Sequence, residues 1–216
     1  TVEVDAAYTS NPGTYYDNLD LSKQGTSFRS DLASLITSTH KTYTSYDGLK
    51  TIFNTTDKDP KTNSGMLWFY TGTKLNSYSG SSNREHVWPK DGGDAFPEKS
   101  GPGSDAHHLR PTDSSLNSTR GSLNFDEVSQ SSGNIVAQNG STSYGSAPDG
   151  LCYRSGSYFY PAKGYRGATA RILMYVQTRW GNQYNLKFVD NAGSSKTIGK
   201  ISTLLKWHIQ EPPVGV

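Results

Sequence analysis

The sequence has one cysteine, Cys152, among 216 residues. A disulfide within the chain and a Cys-rich zinc site are therefore both excluded. No apolar run approaches the roughly 20 residues of a membrane span, and only 32% of the residues are hydrophobic. No repeat of about 20–50 residues is present, which excludes solenoid architectures. The chain must be held together by packing around its aromatic residues and by any ions that it binds.

The sequence starts at Thr1 without a methionine and without an apolar leader. This start predicts an exported protein, extracellular or periplasmic, whose signal peptide has been removed; a deliberately trimmed chain is the alternative. The length predicts one domain over residues 1–216. We expect no membrane partner and a monomer.

The charges are unevenly distributed although the net charge is only +2. The segment 83–127 carries eight acidic and five basic residues, together with three of the five histidines. The segment 128–216 carries nine basic and three acidic residues. The first pattern is typical of a cation site and the second of a surface that faces phosphates, although solvated faces would give the same counts.

Periodic apolar residues predict helices. In 167–181 the stripe Ile172, Val176 and Trp180 recurs every four residues, and Gly181 is the expected stop. The other predicted elements are a helix at 27–40 with Phe28, Leu32, Leu35 and Ile36 inward, a helix at 197–213 with Ile198, Ile201, Leu205 and His208 inward, strands at 66–73 and 157–161, and a polar loop at 131–150.

The central segment reads as strand, loop, strand and short helix. "REHVWP" is the first strand, a Gly/Pro-rich stretch follows, and "HHLRP" is the return strand. Asp113 is a suitable N-cap for a helix over "SSLNSTR", and Gly121 is its expected C-terminal residue. These elements predict a mixed α+β fold with a central ββα unit that gathers acidic residues and histidines.

Glu85 and His86 bring together groups that phosphodiester hydrolysis needs. A neutral imidazole takes a proton from water near neutral pH, and a carboxylate holds a hard divalent cation. Asn117, one turn into the short helix, is the best candidate for a second oxygen ligand. Neighbouring residues of a regular strand point to opposite faces. A shared site therefore predicts an irregular strand at Glu85 and His86.

The stretch "NREHVWPK…GSDAHHLRPTDSSLNSTRGSL" closely resembles the endonuclease I family, bacterial secreted nucleases built around a ββα-metal (His-Me) finger. Weaker similarity continues in 166–181 and 204–213. The resemblance implies a finger at about 83–121, with His86 as general base and Glu85 and Asn117 as ligands of one Mg²⁺. Mn²⁺ and Ca²⁺ are alternative occupants. The chain departs from the family in its single cysteine, in Ala168 where an acid is expected, and in stopping at Val216.

The resemblance implies hydrolysis of DNA with little sequence preference, and RNA stays open as a second substrate. Two alternatives remain: a nucleic-acid-binding module without catalysis, and a zinc hydrolase using His86, His107 and His108. The candidate substrate-binding residues are arginines, namely Arg84, Arg110, Arg120, Arg171 and Arg179.

Three further patterns have competing interpretations. Asn117-Ser118-Thr119 is also a glycosylation sequon, which would exclude metal binding by Asn117. His107 and His108 are adjacent and point apart, so at most one faces the metal, and one is expected to be a packed core histidine. The loop 57–65 weakly resembles a calcium loop, but Lys61 replaces an acid and no Glu closes it.

Overall fold

The computed structural model describes residues 14–90, 96–138, 150–194 and 196–213, and its architecture is mixed α+β as predicted. The helices are α1 (Gly25–Thr39), α2 (Leu49–Thr56), α3 (Ser114–Arg120), α4 (Arg166–Tyr184) and α5 (Ile201–Gln210). The strands are β1 (Met66–Leu67), β2 (Lys74–Leu75), β3 (Ser82–His86), β4 (Leu109–Asp113), β5 (Asn124–Phe125), β6 (Ile135–Gln138), β7 (Leu151–Ser155), β8 (Tyr158–Tyr160), β9 (Lys187–Phe188) and β10 (Thr197–Ile198). Within these ranges no helix has the length and apolar character to cross a membrane.

The strands form several small sheets. The largest has four strands in the order β5-β8-β7-β6, with β5 parallel to β8 and the other pairs antiparallel. Three two-stranded ribbons pair β1 with β2, β3 with β4, and β9 with β10. The β3–β4 ribbon is antiparallel and leads directly into α3. The fold therefore contains the ββα unit that the sequence predicted at its centre.

Helix α4 passes through the larger hydrophobic core. Its predicted stripe is buried, with Ile172, Val176 and Trp180 at 7%, 0% and 1% exposure. The helix continues past Gly181 and ends where Asn185 adopts a left-handed conformation, with φ of 55°. The Gly181 carbonyl accepts a hydrogen bond from the Asn185 amide, so Asn185 takes the terminating role that the sequence assigned to glycine.

Two predicted helices differ from their expected packing. The four apolar residues of α1 are only half-buried, because α1 lies on the outside of α4. On α5 the predicted stripe is wrong at Leu205, which is 49% exposed. Leu204 and Trp207 are fully buried instead. The helix starts at Ile201, and the face that carries these two residues packs towards α4.

The predicted strands and the polar loop also differ from the structure. Only Met66–Leu67 of 66–73 is a strand, because Tyr70 and Gly72 both take positive φ of 73°. The segment 131–150 is not all loop: it includes a 3₁₀ turn at Ser132–Asn134 and strand β6, while 139–149 lie outside the described residues. The sequence did not predict α2, β6 or β7.

The N-terminus of α4 is capped by a residue 44 positions further along the chain. Its preceding residue, Tyr165, makes no capping bond with its side chain. Glu211 accepts hydrogen bonds from the amides of Gly164 and Gly167, at 2.9 and 3.0 Å, one on each carboxylate oxygen. Arg171 donates to the Glu211 carbonyl at 2.7 Å. A carboxylate is well placed there because it meets unpaired amides and the positive end of the helix dipole.

Glu211→Ala is expected to lower the free energy of unfolding by about 1–2 kcal/mol, the usual effect of losing an N-cap. Glu211→Gln should lose less, because it keeps one acceptor oxygen. Urea unfolding measures both. The control is Glu127→Ala, which removes an exposed ion pair with Lys206 and should change stability by less than about 1 kcal/mol. Equal losses in Glu211→Ala and Glu127→Ala would contradict the capping role.

Candidate active site

The β3–β4 ribbon and α3 form the frame of the candidate site. The ribbon pairs without interruption from Ser82 opposite Asp113 to His86 opposite Leu109. Asp113 caps α3, as predicted, by accepting a 2.8 Å hydrogen bond from the Leu116 amide. Gly121 ends the helix with φ of 50°. The short helix is therefore fixed at both ends against the ribbon that carries Glu85 and His86.

Glu85 is buried on the side of the ribbon that faces the core, with 3% exposure. Its Oε1 accepts a 2.6 Å hydrogen bond from the Tyr70 hydroxyl and pairs with Arg120 Nη1 at 2.9 Å. Both contacts use the same oxygen, so Oε2 is the one that Glu85 can offer to a cation. Burial raises the pKa of Glu85, and the Arg120 charge and the Tyr70 hydrogen bond oppose that rise.

His86 is held at one ring nitrogen while the other is unsatisfied. The Gly103 carbonyl accepts a hydrogen bond from the imidazole. Nε2 is buried, and no described residue hydrogen-bonds it, which leaves Nδ1–H as the donor to Gly103. Burial lowers the pKa of His86 to about 3, helped by His108 and Lys90. The ring is therefore neutral at pH 7, and the lone pair of Nε2 has no hydrogen-bond partner within the part of the chain that the structure describes.

His108 occupies a structural position beside His86. It is fully buried, its Nδ1 lies 2.7 Å from the Pro102 carbonyl, and its Nε2 accepts a 2.9 Å hydrogen bond from the Trp88 amide. The two histidines thus bind the neighbouring carbonyls of Pro102 and Gly103. A side chain at Gly103 would come within 2.6 Å of the Phe96 carbonyl oxygen, so only glycine lets this turn pack closely enough.

Asn117 places its amide oxygen in the interior of the site. The Oδ1 atom is buried, and within the described part of the chain it has no hydrogen-bond partner. An unsatisfied buried carbonyl oxygen is costly, so its presence calls for an explanation such as an ion or water.

The expected irregularity of β3 is absent. The pairing register does not shift, so Glu85 and His86 point to opposite faces, as neighbours on a strand do. Arg84 and His86 share the face that packs on Tyr46, at 3.6 and 5.7 Å from its ring centre. The prediction that a distorted strand brings the two side chains together is wrong. The two residues lie on opposite faces at the end of the strand, where β3 finishes at His86.

Arg120 connects the two sides of this strand end. It is fully buried, and besides Glu85 it donates to the His86 and Val87 carbonyls at 2.9 and 2.7 Å. Its guanidinium also lies over the Phe125 ring at 4.7 Å. A side chain without exposed surface does not reach a substrate phosphate. The prediction that Arg120 binds substrate is therefore corrected to a bracing role.

The other candidate arginines are also engaged within the protein. Arg84 donates to the Tyr46 carbonyl, and Arg110 donates to the Ala106 and Leu109 carbonyls. Arg171 binds the Glu211 carbonyl. Arg179 is 7% exposed, and its guanidinium lies 3.7 Å from the Trp180 ring centre. The prediction that Arg179 binds substrate is corrected, because its side chain is buried. Phosphate contacts by Arg84, Arg110 and Arg171 stay predictions.

The donor atoms fit a hard cation better than zinc. Glu85 and Asn117 supply oxygens, which Mg²⁺ prefers, and two protein ligands suit an ion that keeps several waters. No cluster of three or more His, Cys, Asp or Glu residues suited to a metal occurs in the described ranges. Both nitrogens of His108 are already engaged. The histidine trio required by the zinc alternative therefore does not assemble here.

The remaining polar candidates have structural contacts. Asp105 accepts hydrogen bonds from Tyr175 and Trp180 on Oδ2, both at 2.8 Å. His107 is exposed. In the loop 57–65, Asp59 pairs with Lys74 at 3.0 Å and accepts a hydrogen bond from Thr62, contacts that hold its pKa down to about 2. This carboxylate is occupied by a lysine, which opposes calcium binding in that loop.

Sequence reasoning missed the residues that hold the proposed groups in place. Tyr70 donates to Glu85, Tyr46 stacks on His86, and Gly103 accepts from the imidazole. Tyr70 also has the positive φ that is unusual for a bulky residue. Tyr46 and Tyr70 lie in irregular segments outside the finger motif, and only the density of tyrosine hinted at them. Gly103 lies within the Gly/Pro-rich stretch but had no distinguishing signal.

Comparison with known proteins identifies the family. The extracellular ribonuclease of Bacillus amyloliquefaciens is 36% identical over 209 residues, covering 92% of this chain and 66% of that protein. The extracellular ribonuclease of Bacillus subtilis (strain 168) is 35% identical over 217 residues, covering 96% and 69%. The chain thus spans about two thirds of the length of these relatives. Endonuclease I, a nuclease family, matches residues 24–215, and the chain belongs to that family, as its central motif predicted.

Proposed function

We propose that the chain is a Mg²⁺-dependent endonuclease that hydrolyses phosphodiester bonds of RNA and DNA with little sequence preference. The observation that carries the proposal is His86, a neutral imidazole whose Nδ1 is fixed by a backbone carbonyl and whose buried Nε2 has no partner among the described residues. A base poised to accept a proton has this arrangement. Family membership supports the same reaction class.

In the proposed reaction, His86 Nε2 takes the proton of the attacking water while the Gly103 carbonyl keeps the ring oriented. As the ring becomes positively charged, that carbonyl also stabilises the imidazolium. Glu85 Oε2 and Asn117 Oδ1 are the atoms that would hold the cation. A divalent ion there supplies positive charge for the phosphate and the leaving oxygen. A phosphate lying across the end of β3 would reach both faces of the ribbon at once.

Sequence preference is expected to be weak because phosphate contacts carry no base information. The groove beside the C-terminal end of α3, about 370 Å³, has Ser118, Thr119, Arg120, Asn124 and Arg154 among its lining residues. Arg154 is exposed and donates to the Thr119 carbonyl at 3.1 Å. It therefore replaces Arg120 as the guanidinium that we propose for phosphate binding near Asn117.

RNA is proposed as a substrate because the two relatives are named ribonucleases. Their description as extracellular also supports the proposal that this protein is exported. Digestion of plasmid DNA and of a long RNA with Mg²⁺, with and without chelator, tests the activity and the substrates together. A chain that binds both nucleic acids but cuts neither would be the binding module that the sequence left open.

Replacing the proposed base should remove catalysis but not binding. His86→Ala is expected to lower kcat about 10²–10⁴-fold, with the affinity for nucleic acid nearly unchanged. Plasmid nicking and gel-shift assays measure the two quantities. His208→Ala is the control, since His208 lies on α5 away from the finger. Activity of His86→Ala close to that of His208→Ala would mean that His86 is not the base.

The Mg²⁺ concentration needed for activity distinguishes the proposed role of Asn117 as a ligand from that of His86 as the base. Asn117→Asp retains an oxygen donor and should keep activity at ordinary Mg²⁺ concentrations. Asn117→Ala lacks the donor and should need a much higher concentration for half-maximal activity. Titrating Mg²⁺ against the cleavage rate, with unfolding curves to confirm that both variants fold, makes the comparison. Identical Mg²⁺ curves for Asn117→Ala and the unmodified chain would remove Asn117 from the cation site.

The lowered pKa of His86 predicts the acid side of the pH profile. A histidine in water protonates near pH 6.5, but His86, with its pKa lowered to about 3, stays neutral well below that value. At saturating Mg²⁺, kcat/KM should therefore be retained from pH 8 down to about pH 5. Saturation matters because protonation of Glu85 competes with the cation. A loss of activity centred between pH 6 and 7 that is independent of Mg²⁺ concentration would contradict this assignment.

A further inference from the structure

A cleft of about 580 Å³ lies beside the finger and outside the proposed catalytic site. Its wall carries aromatic rings and one exposed cation, with Tyr15, Tyr16, His40, Lys41, His107 and Tyr175 among the lining residues. We propose that this cleft binds an unpaired nucleobase of the substrate strand and so favours single-stranded nucleic acid. The inference rests on the proposed nuclease function and adds a substrate class to it.

The exposed tyrosines are presented in a defined arrangement. The hydroxyl groups of Tyr15 and Thr39 share a 2.7 Å hydrogen bond at the end of α1. This bond anchors the Tyr15 ring. Tyr16 meets that ring edge-on, with ring centres 4.7 Å apart. The two side chains are 39% and 42% exposed. The rings of Tyr15 and Tyr16 meet edge to face, and both residues keep exposed aromatic surface on which a base could stack.

The cleft is also lined by His107, which precedes β4, and by Tyr175 of α4. His107 is exposed, and its ring centre lies 5.3 Å from that of Tyr175. The Tyr175 hydroxyl is committed to Asp105 at 2.8 Å, which fixes the ring. Bases stack on aromatic rings regardless of their identity, and cationic groups near them follow the backbone. Several aromatic rings and Lys41 in one lining suit a base attached to a phosphate better than an aliphatic ligand.

A metal ion is a poorer occupant of this cleft. Among the described residues that line the cleft, Asp105 is the only one with a carboxylate. Oδ2 already accepts from Tyr175 and Trp180, and Oδ1 accepts from the His107 amide at 2.9 Å. This carboxylate is therefore fully used in holding the loop to α4. The aromatic rings remain as the groups that a ligand can use.

Two short connections place the cleft next to His86. Thr44 lines the cleft and donates to the Ser104 carbonyl, whereas Tyr46, two residues on, stacks against His86. The Gly103 carbonyl, adjacent to Ser104, holds the His86 ring. Thr44 and Tyr46 are only two residues apart, a separation of at most about 7 Å along the chain. A base in the cleft would thus belong to a nucleotide close to the scissile bond.

Pairing state decides whether a base can enter. In a duplex both faces of each base are covered by its neighbours, so insertion between protein rings requires unstacking and unpairing. An unpaired strand avoids most of that cost. The cleft should therefore strengthen the binding of single-stranded substrates and have little effect on the binding of duplex DNA.

The test compares Tyr16→Ala with Tyr16→Trp. Binding of a labelled single-stranded oligonucleotide in chelator, followed by fluorescence anisotropy, should weaken about tenfold in Tyr16→Ala. Tyr16→Trp should retain it, because the larger ring still stacks. Duplex binding should be little changed in both. Leu205→Ala, which removes another exposed apolar side chain, is the control. It should leave the affinity for both the single strand and the duplex unchanged.

Cleavage assays then separate this inference from the proposed function. In Mg²⁺, Tyr16→Ala should raise KM for the single strand while kcat stays close to that of the unmodified chain. An equal loss on single strand and duplex, or no loss, would overturn the base-binding role even if the protein is an active nuclease. Absence of cleavage by the unmodified chain would instead refute the proposed function, while the chelator measurement would still report on the cleft.

Discussion

The buried pair of Glu85 and Arg120 is the interaction on which the finger depends. Arg120 ends the short helix, and its guanidinium binds a carboxylate and two carbonyls of the neighbouring strand region. Two charges removed from water are tolerated only when each has good partners. Loss of either residue would leave an uncompensated charge in the core. The pair therefore joins α3 to β3 and fixes the separation of the groups that each element carries.

A second constraint comes from the turn at Pro102–Ser104. His86 and His108 bind neighbouring carbonyls of this turn, and Thr44 binds the next one. These three contacts come from three different parts of the chain. The orientation of the proposed base is thus set by a loop that is itself held from several directions. Rigid support of this kind is what a proton-transfer site requires.

The sequence predicted the ββα unit of β3, β4 and α3 well because the signals for it are local. The Asp113 cap, the Gly121 stop and the α4 stripe each depend on a few neighbouring residues. Predictions failed where tertiary contacts decide. Leu205 fits a helical stripe, but α4 covers the Leu204 face. Likewise the sequence suggests that Arg120 and Arg179 are exposed cations. The fold instead places carbonyls and the Phe125 ring around Arg120, and the Trp180 ring beside Arg179. Charge counts do not reveal which guanidinium groups reach solvent.

The Glu211 cap affects where a polyanion can bind to the surface. The first amides of a helix form a natural receptor for phosphate, and α4 starts with Arg166 and Arg171 close by. Glu211 fills that receptor with a carboxylate from the protein itself. A nucleic acid approaching this basic part of the surface meets a negative charge where it would otherwise bind. Under the proposed function, the start of α4 would therefore not bind substrate phosphates, and strands would bind to surfaces nearer to His86.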